Sequence, residues 1–140
     1  MTASPLILPM LTLMILTAIV WINMYILRLR YVIKHKINAQ KLSSPEKIPE
    51  LLPEEVNRPA NNLKNLFELP VIFYGLIILA LITELDSASL TFLAWGFVAF
   101  RIIHSFIQCT NNRVMQRFKV YMLSSMCLWA LLVNIFISLI

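Results

Sequence analysis

Residues 5–27 read PLILPMLTLMILTAIVWINMYIL, a stretch without a charge that is closed by Arg28 and Arg30. A helix rises about 1.5 Å per residue, so about 20 apolar residues cross a hydrocarbon core about 30 Å thick. The stretch is long enough, and residues 120–140, VYMLSSMCLWALLVNIFISLI, match it at the other end of the sequence. No Lys or Arg precedes the first run. It lacks the basic leader of a secretory signal and is expected to remain as a span.

Two further apolar stretches are interrupted sooner. Fifteen uncharged residues separate Glu68 from Glu84, and fourteen separate Asp86 from Arg101. Neither crosses a bilayer alone, so each helix must carry a charge inside the membrane or at its edge. Between them, Thr83-Glu84-Leu85-Asp86-Ser87 leaves room only for an antiparallel hairpin, with Asp86 or Ser87 capping the next helix. Pro45, Pro49 and Pro53 predict an extended surface segment in the polar connection from about 34 to 57. Asn57 before Arg58-Pro59 predicts the start of the second helix, since proline is tolerated in a first turn.

Spans are therefore expected at about 5–27, 60–83, 87–109 and 115–140, with a loop at about 28–58, in one domain over 1–140. The fold class is all-α, an integral membrane four-helix bundle. Composition agrees: 59% of residues are hydrophobic and 14% charged, too few to coat a soluble domain of this length. With 2 Gly and no alternating pattern, a membrane β-barrel is excluded.

All 12 Lys and Arg fall between Arg28 and Lys64 or between Arg101 and Lys119. The N-terminal segment, the 83–87 hairpin and the C-terminal segment have none. The positive-inside rule then places both basic connections in the cytoplasm and both termini on the non-cytoplasmic side. Topology accounts for the formal charge of +5, and no nucleic-acid partner is expected.

Polar residues gather at the basic end. Glu68 precedes Glu84 by sixteen residues and Arg101 follows Asp86 by fifteen, which is roughly 24 and 22 Å of helix. Both ions reach a similar depth on neighbouring antiparallel helices. Arg58, Asn61, Asn62, Asn65 and Glu68 share one helical stripe; Arg101, His104 and Gln108 share another; Arg113, Arg117 and Tyr121 step by four. Two readings fit. A cationic, amide-rich cup suits a small anionic or zwitterionic ligand. Alternatively Glu68 and Arg101 neutralise each other, the asparagines bond helix to helix, and the other arginines sit at headgroups. Cys109 and Cys127 have no metal-ligand spacing and read as packing residues. No metal site, serine or cysteine triad, or transporter-type repeat is present in the pattern.

At these residues the sequence resembles the MAPEG family, membrane-associated proteins of eicosanoid and glutathione metabolism, and its bacterial members most. The resemblance rests on RPANNLKNLFELPVIFY at 58–74 and on Arg101-Ile-Ile-His104 continuing through Arg113 and Arg117 to Tyr121. It implies a homotrimer in the bacterial inner membrane with glutathione bound between protomers near the cytoplasmic face. Arg117 then matches the arginine that holds the glutathione sulfur as thiolate, with Arg113 second. Arg58, Asn62, Asn65, Glu68, Arg101, His104 and Tyr121 would grip the peptide, with Gln108 and Arg113 beside them. The implied activity is a glutathione-dependent transferase or peroxidase acting on a lipophilic substrate. The alternative is a non-catalytic subunit or scaffold. The chain departs from the eicosanoid enzymes at Gln108, where they carry tyrosine, and at Asn65, where their spacing calls for glutamate.

Overall fold

The computed structural model describes residues 4–140, so the first three residues of the expected domain lie outside it. Every regular element among the described residues is helical. Helix α1 (Ile7–Lys34) takes Pro9 in its first turn, where the missing N–H would have no partner. It continues past Arg28 and Arg30 and closes at Lys36, whose φ is 50°, with the Ile37 amide donating to the Val32 carbonyl at 3.1 Å.

The connection that follows is not extended as its prolines suggest. A 3-10 turn spans Ala39–Leu42, capped by the Asn38 side chain, and a short helix α2 spans Ile48–Leu51. Pro49 stands in the first turn of α2 and Pro53 at the N-cap of α3 (Glu54–Leu66). A helix start is where proline fits best, so these residues begin helices here. Asn57 is consequently not a cap. It lies inside α3, and its Nδ2 donates back to the Leu52 carbonyl at 2.9 Å.

The stretch expected as one helix over 60–83 is two, α3 and α4 (Leu69–Ile82), with a break at Phe67-Glu68. Pro70 explains the break. It has no N–H for the Leu66 carbonyl, and its ring crowds that carbonyl, so the ladder stops at Leu66. Glu84 (φ 53°) then turns the chain, the Leu85 amide donates to the Ala80 carbonyl at 2.9 Å, and the Ser87 side chain caps α5 (Ala88–Cys109). A second tight turn through Asn112 leads into α6 (Val114–Leu139).

Four stretches are long and apolar enough to cross a membrane: α1, α3 with α4, α5, and α6. Helix α5 packs on α6, α1 and α3, while α4 lies against α6 and α1. Leu13 and Val20 of α1, Phe73 and Ile77 of α4, Leu90, Phe97 and Val98 of α5, and Leu128, Leu131 and Ile135 of α6 form the shared core. The Phe73 and Phe97 rings stack with centroids 4.7 Å apart. Gly96 lets α6 approach α5 closely, since a Cβ there would stand 3.1 Å from Cys127 Sγ. Large apolar side chains also cover the outside: Ile15, Ile19, Phe92, Phe106, Phe136 and Ile137 are all exposed. In water that surface would aggregate; in a bilayer it meets lipid.

Candidate functional site

At the basic end the inner faces of α3, α5 and α6 carry most of the buried polar groups. Asn62 is fully buried. Its Oδ1 accepts from Ser105 Oγ at 3.3 Å, and its Nδ2 donates to Cys109 Sγ at 3.6 Å. Asn65 Nδ2 donates to Gln108 Oε1 at 2.9 Å, and His104 Nε2 lies 3.0 Å from the same oxygen. His104 Nδ1 lies 3.2 Å from the Arg117 carbonyl. Both ring nitrogens thus face oxygens, and a neutral imidazole has one hydrogen to share between the two contacts. These contacts fix the ring between α5 and α6.

Arg101 is different from its neighbours. It is 0% exposed, yet Nε, Nη1 and Nη2 have no hydrogen-bond partner among the described residues. Its guanidinium carbon lies 5.2 Å from the Phe97 ring centroid and 4.8 Å from that of Tyr121. A cation over an aromatic face gains about 1–2 kcal/mol when desolvated, whereas burying an ion without a partner costs several. The rings soften the burial without offsetting it. Glu68 makes no direct ion pair with Arg101 among the described residues, and its charge acts on the guanidinium only from a distance. Glu68 is exposed at the break between α3 and α4, and the one ion pair among the described residues joins Arg58 to Glu54 at 3.4 Å. The direct Glu68–Arg101 ion pair of the second reading is therefore absent from the protomer among the described residues, because Pro70 takes Glu68 off the α3 stripe.

Beside Arg101 a cleft of about 210 Å³ opens, lined by Asn65, His104, Val114, Arg117, Phe118 and Tyr121. Four of these six are residues the sequence pattern singles out. Arg117 is half-buried, and its Nη1 donates to Asn112 Oδ1 at 2.6 Å. Tyr121 stands between the cleft and Arg101, its ring centroid 5.8 Å from that of His104. Arg58 is tied back, donating from Nη1 to the Thr110 carbonyl at the end of α5. Arg113 is exposed at the N-cap of α6, and neither it nor Glu68 joins the network.

The structure thus brings Asn65, His104, Arg117 and Tyr121 to one cleft, with Arg101 and Gln108 behind it and Asn62 and Arg58 at its α3 side. It also adds residues the sequence pattern passes over. Glu54 contacts both Arg58 and Asn112; its spacing of four from Arg58 is a visible signal once the helix is known to begin at Glu54. Ser105 and Cys109 have no such signal, because a buried hydroxyl and a thiol look like ordinary helix packing until Asn62 is seen between them. No group of His, Cys, Asp and Glu among the described residues could hold a metal ion.

Chemically, the site offers cations, amides and one ordered imidazole around a small cleft that opens from a lipid-facing bundle. It suits an anion with several hydrogen-bonding groups. Searches of curated proteins and of solved structures gave no match. A profile of the MAPEG family, however, matches residues 6–137, nearly the whole sequence, so the four-helix membrane bundle and its polar end belong to a protein of the MAPEG family.

Proposed function

We propose that this chain is a glutathione-dependent membrane transferase or peroxidase acting on lipophilic electrophiles, and that it works as a homotrimer. The observation that carries the reading is Arg101, a fully buried guanidinium with no carboxylate against it among the described residues, next to a cleft that Arg117 closes. Glutathione brings two carboxylates, an ammonium, two amides and a thiol. A carboxylate is the natural partner of Arg101, and a guanidinium beside a thiol favours the thiolate, which is the nucleophile. Arg117 takes that second role. Asn65, His104, Gln108 and Tyr121 line or back the same cleft, with Asn62 and Arg58 on its α3 side. The cleft is smaller than the whole tripeptide, so the remainder lies across the boundary with a neighbouring copy, where exposed Glu68 and Arg113 can reach it. Family membership supports a glutathione-related membrane role.

The basic end faces the cytoplasm in this reading, by the asymmetry of Lys and Arg, with both termini on the other side of a bacterial inner membrane. That arrangement gives the cleft access to the reduced cytosolic glutathione pool, while the apolar substrate arrives through lipid.

A second reading, a non-catalytic subunit or scaffold, is favoured by one observation: Asn62, Ser105, Asn65 and Gln108 bond to each other across α3 and α5. The two separate on binding. Purified protein at millimolar glutathione should release heat in a calorimeter and develop the ultraviolet absorbance of a bound thiolate, with the absorbance lost in Arg117→Ala. Neither heat nor absorbance in the wild type would leave only the scaffold.

A further inference from the structure

Glu54 opens α3, one turn before the polar stripe, and is exposed. Its Oε1 accepts from Arg58 Nε at 3.4 Å and from Asn112 Nδ2 at 2.9 Å. Asn112 in turn accepts, at Oδ1, from Arg117 Nη1 at 2.6 Å. One carboxamide therefore stands between a carboxylate and a guanidinium. A carboxylate can only accept and a guanidinium can only donate, so the two partners admit a single orientation of the amide. Which end is oxygen is often ambiguous for asparagine, but here the neighbours decide it.

The backbone at this position makes a second demand. Asn112 has a φ of 48°, and its amide donates to the Ile107 carbonyl at 2.8 Å, closing the turn between α5 and α6. Few residues other than glycine adopt that conformation readily, and asparagine is one. Glycine would make the turn but could not reach Glu54 and Arg117. Asparagine meets both requirements at once.

We propose that Glu54 and Asn112 are positioning residues for Arg117, forming a chain from the start of α3 through the α5–α6 turn to the cleft. The proposal rests on the role given to Arg117 above. An arginine has many rotamers, and anchoring one Nη fixes the direction in which its remaining donors point. The Glu54 oxygen also holds Arg58, so one carboxylate orients an arginine from α3 directly and one from α6 through Asn112. Two cations against one anion leave the cleft side positive, as a thiolate requires.

The test titrates the thiolate absorbance of bound glutathione against pH on full-length protein in detergent, with helicity recorded for each variant. The wild type and Arg117→Ala are read first. A wild type without a thiolate signal, or one whose signal Arg117→Ala leaves in place, overturns the role of Arg117 and the proposal with it. Given that signal, Asn112→Gly should raise the apparent pKa of the bound thiol by about one unit, and Glu54→Ala should raise it by less, because it also removes a negative charge near the cleft. Asn112→Gly preserves the turn, so it isolates the side chain. The double variant should add little, because both act on one chain. Glu54→Gln should restore most of the wild-type titration, since its amide oxygen still accepts from Asn112. Glu55→Gln, exposed and outside the chain, should change nothing. A titration unmoved in Asn112→Gly and Glu54→Ala, alongside a displaced one in Arg117→Ala, overturns the positioning role alone.

Discussion

Arg101, His104 and Gln108 share one face of α5, but among the described residues only Arg101 has no carboxylate, amide or carbonyl bonded to its side chain. Its surroundings are aromatic, and no carboxylate lies within ion-pair distance among the described residues. Such a group costs the apo protein stability that an arriving anion restores, so function and stability should part company at this one side chain. Arg101→Met keeps length and apolar contact while removing the charge. It should stabilise the protein in detergent by about 1–3 kcal/mol, and so raise its unfolding midpoint, because buried ions replaced by apolar groups of like volume are often stabilising. The same variant should lose the stabilisation that millimolar glutathione gives the wild type, since a ligand stabilises only the state it binds. Thermal unfolding of both proteins with and without glutathione reads both effects. A lower midpoint for the variant without ligand would mean that Arg101 is a structural residue with partners of its own.

Helix α3 shows how a local break decides which residues meet. The polar stripe read from the sequence assumes a straight helix through Glu68, and on a straight helix that carboxylate would share a face with Asn61 and Asn65. Pro70 ends the ladder at Leu66, so Asn62 and Asn65 face α5 while Glu68 is left outside. Pro70→Ala supplies the missing N–H to the Leu66 carbonyl and should fuse α3 with α4. Helicity should rise slightly, Asn65 should turn away from Gln108, and glutathione binding should weaken at least about tenfold, or about 1.4 kcal/mol. Circular dichroism with calorimetry checks it, and unchanged affinity would show that the break does not place the site. The same segment shows what the sequence reveals and what it hides. The spans are legible because lipid demands long uncharged runs, and Ser87 is legible as a cap because its side chain has one obvious task. Asn57 misleads for a physical reason: the prolines around it look like breakers, but each falls where a helix is just starting. That shifts the beginning of α3 back to Glu54 and conceals the contact between Glu54 and Asn112. The four polar and tyrosine residues of the cleft are readable from periodicity, while Val114 and Phe118 are not. Which polar residues pair off is not readable, because pairing depends on the break at Phe67.

At the scale of the whole molecule the deciding feature is asymmetry between the two ends. One end carries all 12 Lys and Arg, on the inner part of α1, the loop, α3, the lower half of α5 and the start of α6, while the 83–87 hairpin at the other carries Glu84 and Asp86 alone. Only 17% of the most apolar stretch of α1 is buried within the protomer, so most of that helix is left for lipid or for another copy. Short loops follow the positive-inside rule most faithfully, and every connection here is short. The basic end, and with it the cleft, should therefore lie in the cytoplasm. Two exposed positions test this in a background with Cys109 and Cys127 replaced: Ser43→Cys in the loop and Ala88→Cys at the start of α5. A membrane-impermeant thiol reagent added to intact cells should label the Ala88→Cys protein at once. It should label the Ser43→Cys protein only after the membrane is opened. The reverse pattern would put Arg101 and Arg117 on the far side from the reducing glutathione pool, and the proposed chemistry would then have no supply of its thiol.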